Sequence, residues 1–545
     1  MKLFPAYDRQ VRAQPVLLIL VPALILFIGH EYRQATGLYF AGTVDPEFAY
    51  LMNGLLLAGL HPDIPYVYHP GTPMMCLIAI VIRVVHLFRP GAGMVADVMA
   101  NPELYIRASV ITANWIAATA VAFLGWVAFR RTKRILPAIL FQAIPFAHTL
   151  SLEPLSRLIP EALMTAVVSL WLIWLLCQYT ESENTTGGKR VSLVFGALYG
   201  LSVAVKLTFL PYVVIPLLVL RKWKDRFRFA WSSVVSFFLF AFPILFHHNY
   251  FVKWVKNIII HTGKYGSGDK GVINVADFAG NIQLLIDNNR FLLIALSLLL
   301  VALVIFRVGH RPMSSLMQFR FRLGLAFLLT AGLEFIMAAK QFSYHYMLPA
   351  ILLTVPAILL AGDLISARLK YRVTLAVPLT LIFLFGVAIK LAPQVREQLH
   401  HMQQVNNRRA EAVHRFMALR TEAPTIVVCS YYGCSAVEYA LSFGLHESGK
   451  YGERLTASMK KIHPDTYLYF PWNETFYYGK REIKPDEIVA QGEFNLLVAG
   501  YTEELTGKVS STLVPDPQGW KLEKVYTDST VSEALFRLQI LPAVQ

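Results

Sequence analysis

The chain has 545 residues, of which 55% are hydrophobic and only 16% charged, with a mean hydropathy of +0.48. A soluble protein of that length would not stay dispersed with so little charge, so composition excludes a soluble globular enzyme and implies a polytopic membrane protein. The formal net charge of +15 is spread over short loops between apolar runs rather than gathered on one face, which points to membrane topology and away from a nucleic-acid partner.

Lys2, Arg9 and Arg12 precede an apolar run from Pro15 to Gly29. No small-x-small cleavage site follows it, so it is expected to stay as a signal-anchor and first span. The next stretch, 31–104, carries Asp45, Glu47 and His69 in an outer loop. The apolar segment Thr72–Phe88 within it is broken by Arg83 and His86 and suits an interfacial helix better than a crossing. If it crossed, the cluster Arg130-Arg131-Thr132-Lys133-Arg134 would face outside, against the rule that basic loops are cytoplasmic.

Ten further spans are then expected, at Tyr105–Phe129, Ile135–Leu150, Ala162–Tyr179, Val191–Val205, Leu207–Leu220, Phe229–Phe246, Phe291–Phe306, Leu323–Ala339, Tyr346–Leu364 and Val373–Leu391. The strongly basic run Arg221–Arg228 anchors the orientation. A loop of some 40 residues with a Gly-rich middle follows Phe246 on the outer side and is expected to be mobile. The fold class is therefore an α-helical polytopic membrane protein of about eleven spans plus interfacial helices.

The division expected is a membrane domain, residues 1–391, and a C-terminal extracytoplasmic α/β domain, residues 392–545. The latter begins with a polar helical stretch, Val395–Leu419. Strand-like runs follow at Thr425–Cys429, Tyr467–Phe470, Phe494–Ala499 and Ala534–Ile540, with a helix near Ser435–Phe443. It holds no phosphate-cradling loop, Ser/His/Asp arrangement or metal spacing, which suggests an accessory role. Cys429 and Cys434 suit either a local bridge or reduced buried thiols, and spacing does not choose between them. Asn184 and Asn473 fall in glycosylation patterns, uninformatively so, and the first would face the cytoplasm.

This topology gathers Asp45, Glu47, His69, Arg107, Arg157, Glu161, Lys206, Lys340, Tyr344, His345 and Tyr346 at one face of the membrane. A carboxylate beside several cations suits deprotonation of a hydroxyl while a phosphate leaving group is held by Lys, Arg and Tyr. Each also has a plainer use. Asp45 suits a helix N-cap, Glu161 a first helical turn, Lys206 snorkelling, Arg107 an interfacial anchor, and His69 a turn. Asp45-Pro46-Glu47 is a D-x-E spacing open to Mg²⁺ or Mn²⁺, but cations alone can stabilise a monophosphate, so no metal or other cofactor is favoured.

The order of these features resembles the C-type glycosyltransferases (GT-C fold) that use a polyprenyl-phosphate sugar, such as protein O-mannosyltransferases and the lipid A aminoarabinose transferase. The resemblance covers residues 15–391. It rests on Asp45, Glu47, Tyr50 and Gly59 after the first span, His69-Pro70-Gly71 opening the interfacial helix, Arg107, Glu161, the run Gly196–Pro216 with Lys206, and the segment from Gln341 through Tyr346 and Pro349 to Leu360. It departs from the family where Pro46 splits the usual adjacent Asp-Glu, where Gly71 replaces a second Pro, and where Val205 stands in place of Thr.

The resemblance implies a glycosyltransferase with Asp45 as base, Glu47 and Glu161 as further catalytic acids, and His69, Arg107, Lys206, Lys340, Tyr344 and Tyr346 as donor-phosphate or substrate contacts. It implies a polyprenyl-phosphate-linked sugar as donor, a glycan, lipid or protein as acceptor, contact with membrane lipid, and a bacterial inner membrane as the setting. The alternative is a lipid or solute transporter or flippase. That reading calls for polar residues lining a path through the membrane and an inverted repeat, and neither is evident.

Overall fold

The computed structural model describes residues 14–541 except 69, 90, 92, 181–187, 309–313, 370–374, 430–432, 472, 491, 501 and 517. His69 and the Asn184 pattern thus lie outside the described residues. Among those described, seven helices are long and apolar enough to cross a membrane: Val16–Thr36, Pro102–Thr132, Pro160–Tyr179, Arg290–Arg307, Ser315–Lys340, Tyr344–Arg368 and Ala376–Leu419. Each is helical because an unbroken apolar run leaves the backbone no partner but itself in hydrocarbon. The expected spans at Val191–Val205, Leu207–Leu220 and Phe229–Phe246 correspond to shorter or more polar helices, Lys189–Val205, Leu207–Val219 and Trp223–Phe240. Ile135–Leu150 is one short helix, Ile135–Gln142, followed by 3₁₀ turns around Pro145.

Two helices fill the outer loop after the first span. Val44–Ala58 is almost wholly buried, and Thr72–Leu87 packs along it. The charges that interrupt the second helix are explained locally: Arg83 Nε donates to the Ala58 carbonyl at 2.8 Å, and His86 lies 3.5 Å from Asp97. Gly71 turns the chain between the two helices at φ +62, left-handed backbone that L side chains rarely adopt, and a Cβ there would sit 2.6 Å from the Tyr50 hydroxyl.

The last span and the polar helix after it are one element. Ala376–Leu419 is continuous through Pro393, so the boundary expected at 391/392 falls inside a helix. The chain then forms a seven-stranded mixed sheet: β1 (Thr425–Cys429), β2 (Thr466–Phe470), β3 (Thr475–Tyr478), β4 (Arg481–Ile483), β5 (Glu493–Ala499), β6 (Trp520–Asp528) and β7 (Glu533–Ile540), in the order β4-β3-β2-β1-β5-β7-β6. The centre, β2-β1-β5, is parallel, with Val427 opposite both Leu468 and Leu497. Its strands are mostly apolar and, Glu493 apart, buried, because they are covered on both faces.

The sheet unit sits on the outer loop. Its helix Val437–His446 packs on Val44–Ala58, where Asn53 Nδ2 donates to the Glu447 carbonyl at 3.0 Å. Gly444 allows this: a Cβ there would come within 2.6 Å of the Phe48 carbonyl oxygen. Lys450 and His247 both pair with Asp63, joining sheet unit, outer loop and the helix His248–Ile260 at one point.

Candidate functional site

Two charged centres lie within electrostatic reach of Tyr50. The first is at the start of the helix Val44–Ala58, where Asp45 keeps extended backbone (φ −99, ψ 122) before its cis bond to Pro46. Its side chain is exposed to solvent, yet enough protein surrounds it that burial raises its pKa above the ordinary aspartate value, with the nearby Arg157 guanidinium opposing the shift. Two residues on, Glu47 has no exposed surface and is gripped by Arg157 through two bonds, Nε–Oε1 at 2.6 Å and Nη2–Oε2 at 3.0 Å. Burial still holds the Glu47 pKa above normal despite that pair. Arg157 Nη2 also donates to the Asp45 carbonyl at 3.3 Å, so one guanidinium holds both acidic residues in place.

The second centre forms where the span Pro160–Tyr179 begins and the helix Lys189–Val205 ends. Glu161 and Lys206 are both nearly inaccessible and form a direct ion pair. His345 Nε2 lies 3.6 Å from the same Glu161 oxygen, and its ring packs on Tyr346 with centroids 4.5 Å apart. The Lys206 ammonium stands 5.1 Å from the centroid of the Tyr346 ring, a cation–π contact. Lys206 reaches Glu161 because the chain leaves its helix there: at φ −162, ψ 141 the residue is extended, and a 3₁₀ turn follows. The Tyr346 hydroxyl lies 3.4 Å from that of Tyr265, in the Gly-rich segment after the helix His248–Ile260.

Tyr50 feels both. It is buried, and burial raises its pKa well above normal, with Glu161, Asp45 and Glu47 adding to the shift. Tyr66 stands edge-on to Tyr50 at 5.2 Å and also feels Asp45.

The sequence-derived set therefore divides. Asp45, Glu47 and Arg157 form one centre; Glu161, Lys206, His345 and Tyr346 form the other. Arg107 instead donates to the Gly37 carbonyl at 3.1 Å and lies 3.6 Å from Glu103, bracing the first loop. Lys340 donates to the Ile259 carbonyl at 2.6 Å, and Tyr344, 37% exposed, packs on Phe342. Among the described residues, no group of three or more His, Cys, Asp or Glu is placed to hold a metal ion.

Sequence reasoning missed the contribution of the sheet unit. Tyr439 and Glu447 both lie within electrostatic reach of Asp45, and burial followed by the Asp45 charge raises the Glu447 pKa. Nothing in the sequence marks two residues nearly 400 positions downstream as neighbours of the first loop; only the fold brings them there.

No protein-family model matches the chain. Its fold is that of a solved structure, ArnT from Cupriavidus metallidurans bound to undecaprenyl phosphate, with a TM-score of 0.53 and 12% sequence identity over 96% of this chain and 97% of that one. ArnT is the lipid A aminoarabinose transferase of the C-type group. The helical fold expected from the resemblance is thus found, and the match extends past residue 391 through the sheet unit.

Proposed function

We propose that this chain is an integral membrane glycosyltransferase that moves a sugar from a polyprenyl-phosphate donor to an acceptor hydroxyl on the non-cytoplasmic face. The observation that carries this reading is the pairing of an accessible, partly desolvated carboxylate, Asp45, with a buried Lys206–Glu161 ion pair, both within electrostatic reach of Tyr50. The ArnT fold, solved in that protein with undecaprenyl phosphate, supports a lipid phosphate as the leaving group.

Asp45 takes the proton of the acceptor hydroxyl. The freed oxygen attacks the anomeric carbon, the bond from that carbon to the phosphate oxygen breaks, and the lipid phosphate leaves with the electron pair. Attack opposite the leaving group inverts the anomeric centre. Lys206, with Tyr346 and His345 beside it, receives the charge that develops on the phosphate. Glu161 keeps the ammonium oriented, and Glu47 does the same for Arg157, which positions the Asp45 backbone. The acceptor class is a glycan, lipid or protein hydroxyl.

We place eleven crossings in the bilayer, since four further helical segments, Ile135–Gln142 with its 3₁₀ extension, Lys189–Val205, Leu207–Val219 and Trp223–Phe240, supply what the seven long helices do not. Basic loops on the cytoplasmic side then put the sheet unit outside, in the bacterial periplasm.

The test is incubation of purified protein with a radiolabelled polyprenyl-phosphate sugar and a membrane extract as acceptor source. Wild type should transfer label, and Asp45→Asn should lose about 10²- to 10⁴-fold of that rate, the usual range for a general base. Absence of transfer to every acceptor fraction, or full transfer by Asp45→Asn, defeats the reading.

A further inference from the structure

Cys429 and Cys434 take no part in the chemistry above, yet they sit where the sheet unit meets the catalytic loop. Cys429 ends the central strand β1, and both thiols are almost completely buried in the same apolar cluster. Both are reduced thiols in this structure, and the Cys434 pKa is raised first by burial and then by Cys429 beside it. Cys429 Sγ is also 3.7 Å from the Gly433 carbonyl, and Cys434 Sγ is 3.6 Å from that of Ala436. The next residue is pinned as well: Ser435 donates to Glu533 on β7 through its backbone at 2.9 Å and its hydroxyl at 2.6 Å. On the other side, Gly433 lies directly on the chain leading to Asp45, where a Cβ would meet the Gly42 nitrogen at 2.6 Å and the Phe40 carbonyl oxygen at 2.8 Å.

We propose that Cys429 and Cys434 are a disulfide-forming pair, joined in the mature protein, whose bond fixes the Gly433 segment against Phe40–Gly42 and so braces the backbone that presents Asp45. This rests on the reading that the sheet unit faces the oxidising side of the membrane, where disulfides persist. The oxidant is a disulfide of an extracytoplasmic thiol–disulfide oxidoreductase. One cysteine thiolate attacks a donor sulfur, giving a mixed disulfide and releasing one donor thiolate. The second cysteine thiolate then attacks the first cysteine's sulfur and expels the other donor thiolate. The two cysteines are oxidised by two electrons, and the donor ends as a dithiol carrying their two protons. Burial pushes the Cys434 thiol well above its ordinary range, which makes it a poor nucleophile once the sheet unit is packed on the outer loop.

Both cysteines fall in one tryptic peptide, Thr421–Lys450. Full-length protein is solubilised and denatured with N-ethylmaleimide present, so that buried thiols are reached, and digested without reductant. The expected peptide carries no alkyl group, weighs two hydrogens less than its dithiol form, and takes up two alkyl groups only after reduction. Reductant should lower the melting temperature of wild type to that of Cys429→Ser/Cys434→Ser and leave the double variant unmoved. In that double variant, Lys484→Cys, at an exposed position of the sheet unit, reports the side of the membrane through an impermeant maleimide applied to intact spheroplasts. A fully alkylated wild-type peptide together with labelling from outside overturns the disulfide while the placement stands. Labelling only after permeabilisation overturns the placement itself, and the proposal with it.

Discussion

The Glu161–Lys206 pair gives the sharpest test of the site, because it separates fold from chemistry. Both groups are nearly inaccessible, at 5% and 6% exposure, so Lys206→Met strands a carboxylate that only His345, 3.6 Å away, can partly answer. Removing one partner of a buried pair costs about 3–5 kcal/mol, whereas replacing both with neutral groups of similar volume is often neutral or stabilising. An unfolding entropy of about 2.1 cal/mol/K per residue, taken over the whole chain, makes that a fall of roughly 3–4 °C in melting temperature. Lys206→Met and Glu161→Gln should each show the fall in detergent-solubilised protein, and the double variant should recover most of it. Transfer from a radiolabelled polyprenyl-phosphate sugar should stay lost in the double variant, because no ammonium remains to take the phosphate charge. A double variant that recovers both stability and turnover refutes the role given to Lys206; single variants that melt with wild type refute the buried pair.

Turnover should depend on pH through Asp45. Burial holds that carboxyl above its ordinary value of 3.8, and the base works only when ionised, so the rate should rise with pH through a midpoint above 3.8; a rate–pH profile flat down to that value contradicts the desolvation. The same raised pKa disfavours the charged form in the folded chain, so Asp45→Asn should gain stability relative to wild type as pH rises past the unfolded value, read as a pH-dependent melting difference. Glu47→Gln weakens the grip on Arg157 without touching the reacting atoms, and should lower kcat through a misplaced Asp45 while Glu47→Ala costs more in both kcat and melting temperature. Gly71→Ala meets both a left-handed backbone and the Tyr50 hydroxyl, and should destabilise by about 1–2 kcal/mol or more, seen as a lower melting temperature; an unchanged value would mean the turn relaxes freely.

The parts of this fold legible in the sequence were those set by local pattern. Val191–Val205 was expected and Lys189–Val205 found; Thr425–Cys429 agrees to the residue, because a short run rich in β-branched residues between Pro424 and Ser430 has few other uses. The edge strands β4 and β6 escaped notice because edge positions tolerate polar residues: Trp520–Asp528 alternates charges with half-buried apolar groups and lacks a continuous core face. The change from apolar to polar composition after Leu391 suggested a boundary that falls inside one continuous helix. Within the site, rarity of charge near span ends marked Glu161 and Lys206. The same rarity marked Arg107 and Lys340, which the fold uses on backbone carbonyls of Gly37 and Ile259. Sequence spacing cannot tell a cation that answers a carboxylate from one that answers a carbonyl, since the partner in each case comes from a distant segment.

Burial of ion pairs is by itself weak evidence for chemistry in this protein. Arg320 pairs with Asp363 at 2.7 Å and lies over the ring of Tyr179, whose hydroxyl bonds the same carboxylate, and that network includes no residue of either centre. What sets the Asp45 side apart is asymmetry. Glu47 and Glu161 are each taken up by a cation, while Asp45 offers an accessible carboxylate beside them and engages Arg157 through its backbone carbonyl. A stabilising network would place its most costly carboxylate inside the pair. Here the pairs hold the frame, and the carboxylate left facing solvent is the one whose raised pKa suits it to take a proton.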